Sequence, residues 1–170
     1  MLVERTANIT DLNFIYGCIL YGARKGHYSF DAENPEVVTA MKKEIQSVVS
    51  RGLLSDNRYA LASVFLVDNK RIATMILCEA APDESRYEIY ALSVAKQFQH
   101  KGYGSQILDS TLSRLLYVDV YARCAPSSDA MKKLLTCRGF KLHAIDNGYG
   151  VLKRDAIDRS ELGGHIYSSY

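Results

Sequence analysis

The chain has 170 residues, enough for one well-packed domain and short for two. Hydrophobic residues make up 48% of it and charged residues 24%, the balance of a soluble globular protein, and no apolar run approaches the ~20 residues that span a bilayer. The formal net charge is only +2, with Lys132-Lys133 the densest basic group, so the sequence lacks the basic stripe of a nucleic-acid-binding domain.

Met1-Leu2 leads directly into a strand-like run over residues 2–7, so no signal peptide is expected. Thr10 is the expected cap of a helix carrying Leu12, Ile15 and Ile19 on one side, ending near Gly22 or Gly26. Residues 25–34 have loop character and contain His27 and Tyr28. Asn34-Pro35 reads as a cap followed by proline in the first helical position. The second helix places Val38, Met41, Ile45 and Val48 at helical spacing and stops at Gly52.

Three strands follow, over residues 60–67, 71–78 and 87–94. The first two form a hairpin around Asp68-Asn69, and residues 81–85 break the chain before the third. Regular alternation on that third strand turns Glu88, Tyr90, Leu92 and Val94 one way and Ile89, Ala91 and Ser93 the other. A helix over residues 104–116, burying Ile107, Leu108, Leu112 and Leu115, precedes a strand over 118–124. Ser127 or Ser128 caps a further helix with Met131, Leu134 and Leu135 inward, which ends at Gly139. Residues 140–144 and 149–153 pair around Asp146-Asn147-Gly148, and the tail from Asp155 has no clear pattern.

The order is β-α-α-β-β-β-α-β-α-β-β, which implies a mixed sheet covered by helices, an α/β or α+β fold. One domain over residues 1–154 with a tail over 155–170 is expected. Cys18, Cys78, Cys124 and Cys137 lie far apart with no ligand-type spacing, so they read as reduced core residues; no metal site is expected, and a cytoplasmic setting fits.

The stretch richest in chemistry is the strand over 87–94, the turn Gln99-His100-Lys101-Gly102-Tyr103-Gly104 and the helix after it. The first N–H groups of a helix have no internal partners, and the helix dipole favours negative charge there. Gly102 and Gly104 let the backbone approach a phosphate without a Cβ in the way, and Lys101 can add a charged contact. The turn is not a P-loop, since no Gly-Lys-Ser/Thr follows. Nor is it a dinucleotide fingerprint, whose third glycine would fall at Ile107.

The turn does resemble the Q/R-x-x-G-x-G/A signature of the GNAT N-acetyltransferase superfamily. Residues 128–140, closing on Gly139-Phe140, are similar to that family's second conserved region, and the element order matches as far as about Lys153. The resemblance implies a splayed, V-shaped sheet with acetyl-CoA in its opening. The pantetheine arm would pair with the backbone of Leu92 and Val94, like an added strand. The pyrophosphate would rest on the turn from Gln99 through His100, Lys101, Gly102, Tyr103 and Gly104 to Ser105, and Ser128 would border the arm.

Acetyl transfer to an amine needs the amine uncharged, so a general base is useful, and the departing CoA thiolate gains from a proton donor. Glu88 is the base candidate. It lies six residues before Val94, or roughly 20 Å along an extended strand, and matches the position of the glutamate in the histone-acetylating branch of the family. Tyr90 shares its expected face and would shape the acceptor site, which His27 and Tyr28 would border. The family's usual tyrosine acid, seven residues after the capping residue, is here Leu135; Cys137 and Tyr121 are weaker substitutes. His100 is expected to face solvent, and His143 and His165 have no identifiable partners.

Two readings stay open from the sequence. One is an acetyltransferase acting on an amine of a small molecule or protein; the other is a catalytically silent acyl-CoA-binding module. A tRNA-directed acetyltransferase, a third reading, is disfavoured by the near-neutral charge. The tail, with Gly163-Gly164 and Tyr167, could support a homodimer.

Overall fold

The computed structural model describes residues 1–81 and 85–158. The break at Pro82-Asp83-Glu84, His165 and the glycine-tyrosine tail therefore lie outside the described residues. The expected element order is present: β1 (Leu2–Thr6), α1 (Leu12–Arg24), α2 (Pro35–Arg51), β2 (Ala60–Val67), β3 (Lys70–Glu79), β4 (Tyr87–Val94), α3 (Tyr103–Arg114), β5 (Val120–Cys124), α4 (Asp129–Thr136), β6 (Lys141–Asp146) and β7 (Tyr149–Arg154).

Local chemistry explains most of the boundaries. Asn34 accepts from the N–H groups of Glu36 and Val37, Pro35 sits in the first helical position, and Gly52 ends α2 with φ 70°. Asp68-Asn69 and Asn147-Gly148 both hold two consecutive residues at positive φ, which suits the twist of the hairpins they close.

The start of α1 differs from expectation. Asn8, not Thr10, is the cap, and it serves a short 3-10 turn over Ile9–Asp11 that leads into the helix. The Asn8 side chain accepts from both the amide and the hydroxyl of Thr10 (2.9 and 2.6 Å), so the threonine's oxygen is already engaged. Asp11 closes the box by accepting from the Asn8 N–H at 2.9 Å. Its carboxylate is fully buried (0% exposed) and also accepts from Arg5 and Arg71 at 2.7–2.9 Å.

The sheet runs β1-β2-β3-β4-β5-β7-β6, with every pair antiparallel except β4–β5. One face carries α1 and α2 over Val64, Ile76 and Ala91, with Ile15, Ile19 and Ile45 from the helices. The other carries a core of Phe65, Met75, Ile89, Ile107, Leu108 and Leu135. Arg154 fixes the end of α3, donating to the carbonyls of Leu112 and Leu115, where the helix dipole favours a cation.

Two irregularities open this sheet. The β3–β4 register slips between Ile76, opposite Ala91, and Leu77, opposite Ile89, so Tyr90 is an extra residue: a β-bulge. In addition, β4 and β5 pair only from Tyr87 to Ile89. From Tyr90 to Val94 the strand runs on without β5 beside it, and the sheet splits into two arms.

The bulge corrects the expected alternation. With one residue added, Tyr90 and Ala91 lie towards the same face, and the parity of the strand reverses across them. Glu88 and Tyr90 both meet Arg58, and Ala91 joins the α1–α2 core. Leu92 and Val94 instead pack with Ile89 on the opposite core. The four residues expected on one face divide into two pairs.

Candidate active site

The split in the sheet forms a cleft of about 1940 Å³ that runs from Arg58, Glu88 and Tyr90 at one end to Gln99–Ser105 at the other. Its β4 wall offers backbone groups. Ala95 donates its N–H to the Ile72 carbonyl on β3 at 2.8 Å, so by alternation Ser93 also turns its backbone to β3, while Val94 and Leu92 turn theirs into the cleft. Two side chains verify the direction: Gln99 Nε2 donates to the Val94 carbonyl at 2.9 Å, and the Tyr28 hydroxyl to that of Leu92 at 3.3 Å.

At the far end of β4 the chain passes through a 3-10 turn, Lys96–Phe98, into the start of α3. Gly102 is the residue before the helix, with φ 80°, a left-handed conformation that favours glycine, and no side chain caps the helix. The first internal bond runs from Gln106 N–H to the Gly102 carbonyl at 3.1 Å. The amides of Tyr103, Gly104 and Ser105 therefore have no partner within the helix and can hold an anion. A Cβ on Gly104 would meet Leu134 at 3.7 Å and Val94 at 4.0 Å, ordinary contacts, so this glycine sits where α3, α4 and β4 converge. Lys101 lies over the Phe98 ring at 5.5 Å, and His100 is exposed as expected. Arg138 joins α4 to α3, pairing with Asp109 at 2.8 Å and donating to the Leu134 and Ser105 carbonyls.

The loop over residues 25–34 crosses the cleft. His27 Nδ1 lies 3.1 Å from Ser128 Oγ, and Ser127 Oγ donates to the Gly26 carbonyl at 2.7 Å. Ser128 precedes α4 as expected, but its hydroxyl turns to His27 and does not cap the helix. His27 is an exposed histidine that bridges to Ser128. Tyr28 follows, its hydroxyl 2.6 Å from Ser93 Oγ, and burial pushes its phenol up to about 12. Gly22 makes the room: a Cβ there would lie 2.7 Å from the Tyr28 ring.

At the other end Glu88 is only 8% exposed. Arg58 donates to its Oε2 at 2.8 Å, and Arg123 lies 3.5 Å from Oε1. Arg58 also donates to Asp56 and the Glu79 carbonyl. Burial works to lower its pKa, but the bonds to Glu88 and Asp56 outweigh that and hold it above the ordinary arginine value. Tyr90 faces Arg58, 5.9 Å from ring centre to guanidinium; its surface is 40% open, yet desolvation pushes its phenol up to about 12. Arg123 pairs in turn with Asp146. A recess of about 220 Å³ continues past Glu88 between Arg86, Tyr121, Arg123 and His143. His143 does have a partner, since it meets Tyr121 edge-on at 5.8 Å.

Arg58 and Arg123 were not among the expected site residues. Arg58 is 30 positions from Glu88, in an ordinary polar turn, and no local spacing links the two. Leu135 is 1% exposed, part of the core rather than the cleft chemistry. Of the cysteines, Cys18, Cys78 and Cys124 are buried, but Cys137 is exposed because it lies at the end of α4. Among the described residues no His/Cys/Asp/Glu group could hold a metal, and no helix is long and apolar enough to cross a membrane.

Residues 27–140 match the sequence model of the acetyltransferase (GNAT) family. No curated protein matches the chain. Among solved structures, PH1933 from Pyrococcus horikoshii is similar with a TM-score of 0.71 at 14% identity, over 93% of this chain and 100% of that one. The PaiA N-acetyltransferase from Thermoplasma acidophilum, in complex with coenzyme A, gives 0.65 at 13%, over 91% and 99%. The ribosomal-protein-S18-alanine N-acetyltransferase from Escherichia coli gives 0.65 at 14%, over 99% and 100%. At these identities the likeness is one of fold.

Proposed function

Since this chain belongs to the GNAT family of acetyltransferases, we propose that it transfers an acetyl group from acetyl-CoA to a primary amine of a small molecule or a protein. The observation that carries the reading is an alignment. The backbone of Leu92 and Val94 faces the cleft, and directly beyond Val94 the unpaired amides of α3 begin. Leu92 and Val94 would receive the pantetheine amides, and Gly102 to Ser105 the pyrophosphate. The solved coenzyme A complex of a protein with this fold supports acetyl-CoA as the donor.

In this reading Glu88 accepts the proton of the incoming amine, directly or through a water. Its Oε2 is committed to Arg58, while Oε1, 3.5 Å from Arg123, is the oxygen left for the substrate. Tyr90 and Arg58 form the wall on that side. Holding donor and acceptor together in the cleft supplies a large part of the rate. The chain's setting is proposed as the cytoplasm.

The buried Leu135 favours one second reading, an acyl-CoA-binding module without turnover. Release of free CoA, measured with a thiol reagent in the presence of spermidine, tyramine, L-lysine or an alanyl peptide, separates the two. Amine-dependent release supports transfer; acetyl-CoA binding without it supports the silent module.

A further inference from the structure

Departure of CoA from a thioester leaves a thiolate, and the chain has no ionisable group at Leu135 to protonate it. An arm whose amides pair with Val94 and Leu92 would bring its sulfur just past Leu92, so a donor must lie there. Tyr121 stands level with Glu88, on the paired part of β5, and donates no proton towards Leu92. Tyr90 lies on the Arg58 side of the bulge. Cys137 is exposed at the end of α4.

Tyr28 is at the right height. Its ring is held by the space at Gly22 and by Phe30, with ring centres 6.2 Å apart. Its hydroxyl makes one short contact, 2.6 Å to Ser93 Oγ, and one long bond, 3.3 Å to the cleft-facing Leu92 carbonyl. When Ser93 donates in the short contact, the phenolic proton points along the long one. The weaker of its two bonds is thus the one facing the cleft, where a thiolate is a better acceptor than a carbonyl.

We infer that Tyr28, delivered by the loop between α1 and α2, protonates the CoA sulfur as it leaves, with Ser93 as its hydrogen-bonded support. The inference rests on the acetyltransferase reading above. The amine nitrogen bonds to the thioester carbon, and the C–S bond breaks with its electron pair on sulfur. The phenolic proton of Tyr28 passes to that sulfur, and the surplus amine proton leaves to Glu88 or water. Solvent returns a proton to the tyrosinate through Ser93, so amide and CoA thiol are the only products. The bridges from His27 to Ser128 and from Ser127 to Gly26 hold the loop down while this occurs.

The groups set against Tyr28 are the Cys18 thiol on α1, pushed up to about 11 by burial, and the Ser93 hydroxyl on β4. Its neighbour His27 turns away to Ser128. Fluorination of the ring acidifies the phenol directly and leaves the Cys18 thiol as it is, so an alkaline limb of kcat set by Tyr28 moves with it.

The test measures CoA release with acetyl-CoA and the best amine of the panel above; where none is accepted, hydrolysis with water as acceptor breaks the same C–S bond. Tyr28→Phe is expected to lower kcat by 10–100-fold, with the Kd for acetyl-CoA changed less than threefold. Replacing Tyr28 by 3,5-difluorotyrosine, which keeps the shape and acidifies the phenol, is expected to move the alkaline limb of the kcat profile to lower pH. A Tyr28→Phe enzyme with full kcat, or a limb that stays in place on fluorination, overturns the inference and leaves the acetyltransferase reading standing. A wild-type protein that binds acetyl-CoA yet releases no CoA to any acceptor overturns both.

Discussion

Arg58 Nη1 and Glu88 Oε2 meet at 2.8 Å across thirty residues of sequence, in a place where both side chains are largely closed to water. Removing one member of such a pair leaves the other charge without its partner. Arg58→Met is expected to cost about 3 kcal/mol, the scale of a broken buried ion pair, read as a lower urea midpoint with the slope unchanged. A midpoint equal to wild type would mean that Arg123 alone satisfies Glu88.

Glu88→Gln keeps the shape of the side chain and its place beside Arg58 while removing the base. The defect in kcat/KM is expected to be greatest at low pH, where the acceptor amine is protonated, and to shrink as the amine deprotonates unaided. The Kd for acetyl-CoA should stay near wild type, because Glu88 is remote from α3. Equal turnover by the two proteins at every pH would exclude Glu88 as the base.

The two glycines of the turn should respond in opposite ways. Gly102 holds φ 80°, so Gly102→Ala carries a left-handed strain of about 1–2 kcal/mol and displaces the helix start, weakening acetyl-CoA binding. Gly104 lies inside the first turn with ordinary room for a methyl group. Gly104→Ala is expected to raise stability by up to about 1 kcal/mol and to retain acetyl-CoA affinity within a few-fold. Thermal unfolding with and without acetyl-CoA reads both effects.

Asp11 anchors the start of α1. Its hydrogen bond from Arg5 outweighs the cost of burial and, with the Asn8 amide, holds its carboxyl below the ordinary aspartate value. A group depressed in the folded state contributes stability that is complete above its unfolded value, near pH 4, and is lost as pH falls through its folded value. Asp11→Asn is therefore expected to cost about 2–4 kcal/mol at neutral pH and to flatten the acid side of the stability profile. Unfolding midpoints between pH 2 and 7 would reveal either behaviour.

Restoring a tyrosine at position 135 should not restore an acid. Leu135 is 1% exposed and shares a core with Phe140 and Leu108, so the larger ring and its hydroxyl overfill that core. Leu135→Tyr is expected to lose about 1–3 kcal/mol without gaining turnover. A rise in kcat with stability intact would refute this view of the core.

Much of this architecture could be read from spacing. Asn34-Pro35 and Gly52 bracket α2 because caps act through their nearest neighbours, and β2 and β4 fall at the expected residues. The glycine turn was readable for the same reason. The bulge was not. Tyr90, Ala91 and Leu92 are all apolar or aromatic, so a one-residue slip among them leaves the pattern unchanged while reversing which face each side chain takes. The Asn8 cap has no distinct signature in the sequence, because Thr10 offers an equally good oxygen and only the fold decides which is engaged. Arg58 with Glu88, and Tyr28 with Ser93, are pairings of distant segments, and they carry no local signature at all.

The split between β4 and β5 also leaves a trace on the time axis of the backbone. Along β4 the amides of Ser93 and Ala95 are bonded to β3, whereas those of Leu92 and Val94 face open space. In the free protein, deuterium exchange along this strand should alternate residue by residue, slow, fast, slow, fast, within a single rigid element. A sheet edge in the middle of a sheet is an invitation to pair, and the chain keeps it safe from other strands by sinking it between two arms. Whatever pairs there must be as narrow as one extended chain, and its arrival would be recorded as the silencing of two amides.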